Sequence, residues 1–371
     1  MNKLARLIEE RGYRPDFDAA IDLARREEVH GLGHIRTLDD YLQHLDNLLR
    51  WAPRYQGDAR VFEQNLLAVY FYLSQEPVKR LQTPIVPGRE GQSRTPLSDW
   101  LVDYVRAIGA FHSTPESAAR VDSFREDPLF HWHDYMPPPG GYLTFNQFFA
   151  RHIKPGMRPV ARPWDDSILV SPTDSQLVGC WQIAHASTVH VREGITVKGL
   201  RWSIDQLLAG SPHASRFAGG IFTHSFLDTF DYHRWHTPVR GKVIEARVIQ
   251  GQVYMDVTVR PAIVSGERVN VLDVIDGTGY QFAQTRGLVI LDSPLGLVAC
   301  LPIGMAEISS VILTAEEGVT LRKGEELGYF QAGGSDFVML FERAAGVRLL
   351  SRPGEHVRQG MWIGSAMGVA L

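Results

Sequence analysis

The sequence predicts an α+β protein, with an N-terminal helical domain followed by a mostly antiparallel β domain. Three observations carry this expectation. Apolar residues recur at helical spacing up to about Phe130, the run MPPPGG (Met136 to Gly141) ends any helix, and from Ser167 onward short β-branched runs are punctuated by Gly, Pro and Asp. The expected domains are residues 1–137 and 138–371.

Among the helical segments, TLDDYLQHLDNLLRW opens with Thr37 and Asp40 in the spacing of a capping box, and Leu38, Leu42, Leu45 and Leu49 line one face. TPLSDWLVDYVRAIGAF repeats the period with Leu101, Tyr104, Val105 and Ile108. The polar faces carry mixed charge, which suits a packed bundle better than a membrane-surface helix. Beyond the proline-rich break, GKVIEARVIQGQVYMDVTV and GLVILDSPLGLVACLPIG read as strands. SIDQLLAGS reads as a helix capped by Ser203 and stopped by Gly210.

The chain has 371 residues, enough for two domains or for one large domain with a helical extension. Lys+Arg 38 against Asp+Glu 42 leaves a net charge of -4, and no polybasic block marks a nucleic-acid or anionic-bilayer partner. The longest apolar run, Leu66 to Leu73, falls far short of the roughly 20 residues of a spanning helix. The N-terminus lacks the apolar core of a secretory signal, so a soluble, cytoplasmic protein is expected. Cys180 and Cys300, each flanked by apolar residues, are expected as buried free thiols.

Three stretches of the β domain bear candidate chemistry. SPTDSQ supplies Asp174, DYHRWHTP supplies His233 and His236, and GGSD supplies Ser335. Carboxylate, imidazole and hydroxyl are the types that make a serine nucleophilic. Two other readings stay open on residue types alone. The histidines of DYHRWH, or His131 and His133 of HWHDY, could join a metal site, but zinc wants three protein ligands and the sequence nominates no third, so no metal is expected. HTPVRGKVIEARV and GVTLRKGEELGYF have the rhythm of biotinyl or lipoyl carrier domains, which makes a non-catalytic carrier or binding module a second class of function, although no exposed hairpin-tip lysine is evident.

From about Phe145 to the C-terminus, five motifs in order resemble the phosphatidylserine decarboxylases, pyruvoyl enzymes that cleave themselves. They are FNQFFARHIKPGMRPV, LVSPTDSQLVG, VKGLRWSIDQLLAGS, DYHRWHTPVRGKV and GEELGYFQAGGSDFVMLF. The resemblance implies that the β domain has the fold of that family. It also implies that Ser335 attacks the carbonyl of Gly334, where two glycines allow backbone conformations closed to other residues. Cleavage between 334 and 335 would leave a pyruvoyl group at residue 335 and two chains that stay associated. His236, oriented by Asp174, is expected as the base for Ser335, and His233 as the proton donor in decarboxylation.

Several positions depart from the usual family pattern: Asp336 after the serine, Ser175 after the aspartate, Trp235 between the histidines, and Glu307 in IGMAEISS. These look more like the soluble tryptophan decarboxylase-like branch. Asp336, Glu307 and Trp235 are therefore expected to shape a pocket for a soluble, aromatic amino acid, since a carboxylate suits an ammonium better than a phosphodiester. The alternative substrate is phosphatidylserine, decarboxylated to phosphatidylethanolamine in phospholipid synthesis.

Overall fold

The computed structural model describes residues 2–57, 59–86, 93–190, 201–264, 266–274, 279–304, 311–332 and 335–367. The helices Asn2–Arg11, Arg14–Arg26, Leu38–Leu48, Ala59–Leu73 and Pro96–His112 form the N-terminal part. The Thr37 hydroxyl accepts from Asp40 N, and the Asp40 carboxylate accepts from Thr37 N at 2.9 Å. That closes the expected capping box and satisfies two amides that the first helical turn would leave open. Leu38, Leu42 and Leu45 on this helix, and Leu101, Tyr104, Val105 and Ile108 on the Pro96–His112 helix, are buried as their spacing requires. Regular helix ends at His112, earlier than the sequence suggested, and short 3-10 turns run from Pro115 to Asp134.

The β portion is organised around an eight-stranded antiparallel sheet. Its strand order is Thr320–Leu321, Gly241–Ile249, Arg286–Ser293, Gly296–Gly304, Ser335–Phe341, Ile221–Leu227, Ser175–Gln182 and His356–Val357. All pairings within it are antiparallel, as expected. A three-stranded sheet containing Val311–Leu313, Glu326–Phe330 and Arg234–His236, and the short helix Phe145–Phe149, pack on one face. The helix Ile204–Leu207 packs on the other, capped by Ser203 and followed by Gly210 at φ +77.

Among the described residues, hydrophobic packing forms three clusters. One joins the N-terminal helices to the hairpin Val257–Val264/Glu267–Val274, through Val257 and Leu272. The other two lie on opposite faces of the large sheet. Phe337, Met339 and Phe341 enter one, and Val338 and Leu340 enter the other. This alternation follows from the two-residue period of a strand. The same period corrects one expectation: Cys300 is buried, but Cys180 projects outward from its strand and is exposed.

Candidate active site around Ser335

Ser335 is the first residue of a strand that is buried along its whole length. It pairs with Gly304 on one side and Leu227 on the other, so its backbone is held by two neighbours and its hydroxyl has no exposure. Gly334, and with it the Gly333–Gly334 step, lies outside the described residues, as does Glu307.

His233 reaches Ser335 from the turn between Ile221–Leu227 and Arg234–His236. That turn is tied by Asp228 N donating to the Asp231 carboxylate at 2.9 Å, and by Arg151 donating to the carbonyls of Phe230 and Asp231. The ring of His233 stacks on Phe149 at 3.9 Å, and its Nδ1 lies 3.2 Å from Ser335 Oγ. Burial, with the nearby Arg151 charge, pushes the imidazole down to about 3, against the opposing pull of the Thr229 and Asp228 carbonyls. The ring is therefore neutral at ordinary pH. With its proton on Nε2, Nδ1 can accept the Ser335 hydroxyl proton, as general-base chemistry requires.

The expected pair, His236 and Asp174, is placed elsewhere. His236 accepts from Tyr232 OH at Nε2 (3.0 Å) and donates from Nδ1 to Gly324 O (2.9 Å), so both ring nitrogens are engaged away from Ser335. The reason lies in strand geometry. Residues three apart on an extended chain point to opposite sides, and His233 holds the side facing Ser335. Asp174 is buried and accepts from Arg158 Nε and Nη2 and from Gln359 N (2.7 Å). Arg158 also donates to Asp134 at 2.8 Å. Asp174 thus joins a segment before the Gly334–Ser335 bond to one after it.

The expected specificity residues are also displaced from the serine. Trp235 is fully buried between Phe330 (5.8 Å) and Phe337 (6.2 Å) and acts as core packing. It packs so closely on the next strand that a Cβ at Gly328 would lie 2.3 Å from its ring. Asp336, adjacent in sequence, points to the opposite face of the sheet from Ser335, where His224 Nε2 lies 3.2 Å from its Oδ1. Asp336 therefore does not line the side on which His233 meets Ser335, whereas Trp235 lies on that side of the sheet as part of the packed core against Phe337.

Asn146 is a site residue that the sequence did not single out. Its Oδ1 accepts from Ala332 N at 2.9 Å, and its Nδ2 donates to Gly109 O and Ser113 Oγ. Nothing in FNQFF marks it, because its partner is remote in sequence. Beside it, a cavity of about 450 Å³ is lined by Asn146, Arg151, Arg234, Tyr329 and Gln331 and rimmed by Met136 and Leu143. Among the described residues no group of three or more His, Cys, Asp or Glu side chains could hold a metal. Lys323, the lysine of the carrier-like turn, is buried, with Nζ donating to the carbonyls of Arg162 and Asp165, so it offers no attachment point for a prosthetic arm.

The family model described as phosphatidylserine decarboxylase matches residues 145–365. The chain is similar to phosphatidylserine decarboxylase proenzyme 3 of Schizosaccharomyces pombe, at 35% identity over 63% of this chain and 22% of that protein. It is 31% identical to phosphatidylserine decarboxylase proenzyme 2 of Oryza sativa over 74% of this chain and 42% of that protein. Decarboxylase iboD of Amanita muscaria is 31% identical over 54% of this chain and 59% of its own. The chain thus spans less than half the length of the first two relatives.

Proposed function

Because the chain belongs to the phosphatidylserine decarboxylase family, we propose that it is a self-processing, pyruvoyl-dependent carboxy-lyase acting on the serine headgroup of phosphatidylserine. The observation that carries the self-processing is the buried contact between Ser335 Oγ and His233 Nδ1, placed directly after two glycines. A neutral, dry imidazole beside a hydroxyl provides the proton acceptor that a serine nucleophile needs. We assign His233 as the base for Ser335, with His236 and Asp174 supporting the fold around it.

Cleavage before Ser335 would create a chain of residues 335–371 that is woven into the rest. Ser335–Phe341 lies between Gly296–Gly304 and Ile221–Leu227, His356–Val357 pairs with Ser175–Gln182, and Trp362–Ser365 pairs with Ile168–Val170. Its release would strip hydrogen bonds from buried strands, so the two chains stay together. A pyruvoyl ketone at residue 335 would supply the electron sink that decarboxylation needs. Ser335, where that ketone would form, has no exposed surface and sits beside the His233 ring stacked on Phe149, which disfavours a solvated carboxylate and favours loss of carbon dioxide.

Two observations support the lipid substrate. The phosphatidylserine decarboxylase proenzymes of Schizosaccharomyces pombe and Oryza sativa match more of this chain than decarboxylase iboD does. The cavity by Asn146 also combines the buried guanidinium of Arg151 with an apolar rim at Met136 and Leu143, both exposed, which suits an anionic headgroup on an acyl chain. Arg234 beside it is already paired with Glu326 at 2.8 Å. A free amino acid is the second reading, favoured by the similarity to decarboxylase iboD. Of its other supports, Asp336 faces away from the serine, Trp235 is packed into the core, and Glu307 lies outside the described residues. A cytoplasmic location belongs to the same proposal; among the described residues no helix is long and apolar enough to cross a membrane.

Intact mass of the purified protein tests the maturation. Two chains with a pyruvoyl-blocked residue 335, and one uncleaved chain for Ser335→Ala, are expected; normal processing of Ser335→Ala would overturn it. Carbon dioxide release from phosphatidylserine in detergent and from free amino acids at equal concentration tests the substrate. Turnover of amino acids alone would move the assignment to the second reading.

A further inference from the structure

Maturation needs a second proton acceptor, and the structure holds an unused carboxylate next to the reacting residue. After the Oγ–C bond to Gly334 forms and the Gly334–Ser335 amide bond breaks, the Ser335 proton passes through His233 to the released amine. The next step breaks the Cα–H bond of residue 335, forms a Cα–Cβ double bond and expels the Gly334 carboxylate from Cβ. Water then replaces the nitrogen as ammonia and leaves the ketone.

An elimination of this kind runs best with the hydrogen and the departing oxygen on opposite sides of the Cα–Cβ bond. His233 stands on the Oγ side, so it is poorly placed to take the Cα hydrogen. On the opposite face of the same strand is Asp336, with no exposed surface. Neither of its oxygens takes a hydrogen bond from a described residue, and the buried His224 has its Nε2 3.2 Å from Oδ1 and 3.4 Å from Gln281 Nε2. A buried carboxylate left so bare is costly to maintain and is uncommon away from a chemical role. The peptide nitrogen of Asp336 also carries the carbonyl of residue 335, so the side chain stays beside that residue throughout the reaction.

We infer that Asp336 is the base of the elimination step, taking the Cα proton of residue 335 from the face opposite His233, with His224 holding the carboxylate in place. This inference rests on the self-processing reading above, and it divides maturation between two faces of one strand. His233 serves ester formation, and Asp336 serves ester breakdown.

The test is chemical trapping in Asp336→Asn. The variant is expected to stop as an ester of unchanged chain length that neutral hydroxylamine splits between residues 334 and 335, leaving a hydroxamate on Gly334. Asp336→Glu should restore spontaneous cleavage in part, and His224→Gln should slow it while accumulating the same hydroxylamine-sensitive species. An Asp336→Asn chain that matures like the wild type would overturn the inference, as would one that stays whole but resists hydroxylamine while Asp336→Glu behaves identically. Ser335→Ala separates the two claims, since hydroxylamine-sensitive cleavage in that variant would sink the self-processing reading itself.

Discussion

Asn146 and Ala332, 186 residues apart, meet through a hydrogen bond from the Ala332 amide to the Asn146 side chain at 2.9 Å. The same side chain donates to Gly109 O and Ser113 Oγ, so the segment leading into the glycines is fastened to the end of the Pro96–His112 helix. A nucleophile and a carbonyl react quickly only when both are held, and Asn146 holds the residue two positions before Gly334.

Asn146→Ala is accordingly expected to mature more slowly. It leaves a buried amide without an acceptor, a loss of about 1–3 kcal/mol, which corresponds to a slowing of about two- to tenfold if half of it appears in the barrier. Asn146→Asp keeps the acceptor and should lie closer to the wild type. A time course of two-chain product on a denaturing gel measures both. Wild-type kinetics for Asn146→Ala would mean that the fastening does not serve the reaction.

The two histidines should separate cleanly. His233→Ala removes the ring beside Ser335 and is expected to slow chain cleavage about a hundredfold or more, the scale of general-base catalysis. His236→Gln keeps polar groups near Tyr232 and Gly324 and should cleave at a rate close to normal, with its cost appearing as lower thermal stability. The reverse pattern in the same gel assay would return the base assignment to His236.

Asp174→Asn is expected to destabilise the protein whether or not cleavage can occur. Removing the charge leaves the buried Arg158 with only Asp134 as an ionic partner, which costs about 1–3 kcal/mol. Thermal melting in a Ser335→Ala background isolates this effect from maturation. An unchanged melting temperature there would argue that Asp174 acts on the chemistry and does little to join Arg158 to Gln359.

Stability should fall in mild acid, with a sign set by buried neutral histidines. Burial lowers His44 and His112 to about 4 and His233 to about 3, while the unfolded chain binds protons from its ordinary value of 6.5 downward. Below pH 6.5 the unfolded state therefore binds more protons. Each of these groups removes up to about 1.4 kcal/mol per pH unit until its folded value is reached. His356 works in the other direction. Its hydrogen bond to Asp231 at 2.8 Å raises it, so its contribution is present below 6.5 and is lost as pH rises through the folded value. Denaturant titrations at pH 5, 6.5 and 8.5 should show His356→Ala most damaging at the lowest pH, and wild-type stability that rises from pH 5 to 6.5.

The local code was legible without coordinates. Capping residues, helical spacing and the change to β texture report on contacts between near neighbours, and those appear at Thr37, Leu101 and Ser203 as expected. The motif order likewise pointed to Ser335 and to the histidine pair. Which histidine meets the serine depends on how Arg234–His236, through its partner Glu326–Phe330, is set over the sheet that contains Ser335. That placement is made by packing across distant segments. The side to which Asp336 points was settled in the same way: residue 335 already begins a strand, so its neighbour must face the other side of the sheet. Asn146 and Arg158 carry no signal of their own, since each gains its role from a partner that only the folded chain brings near.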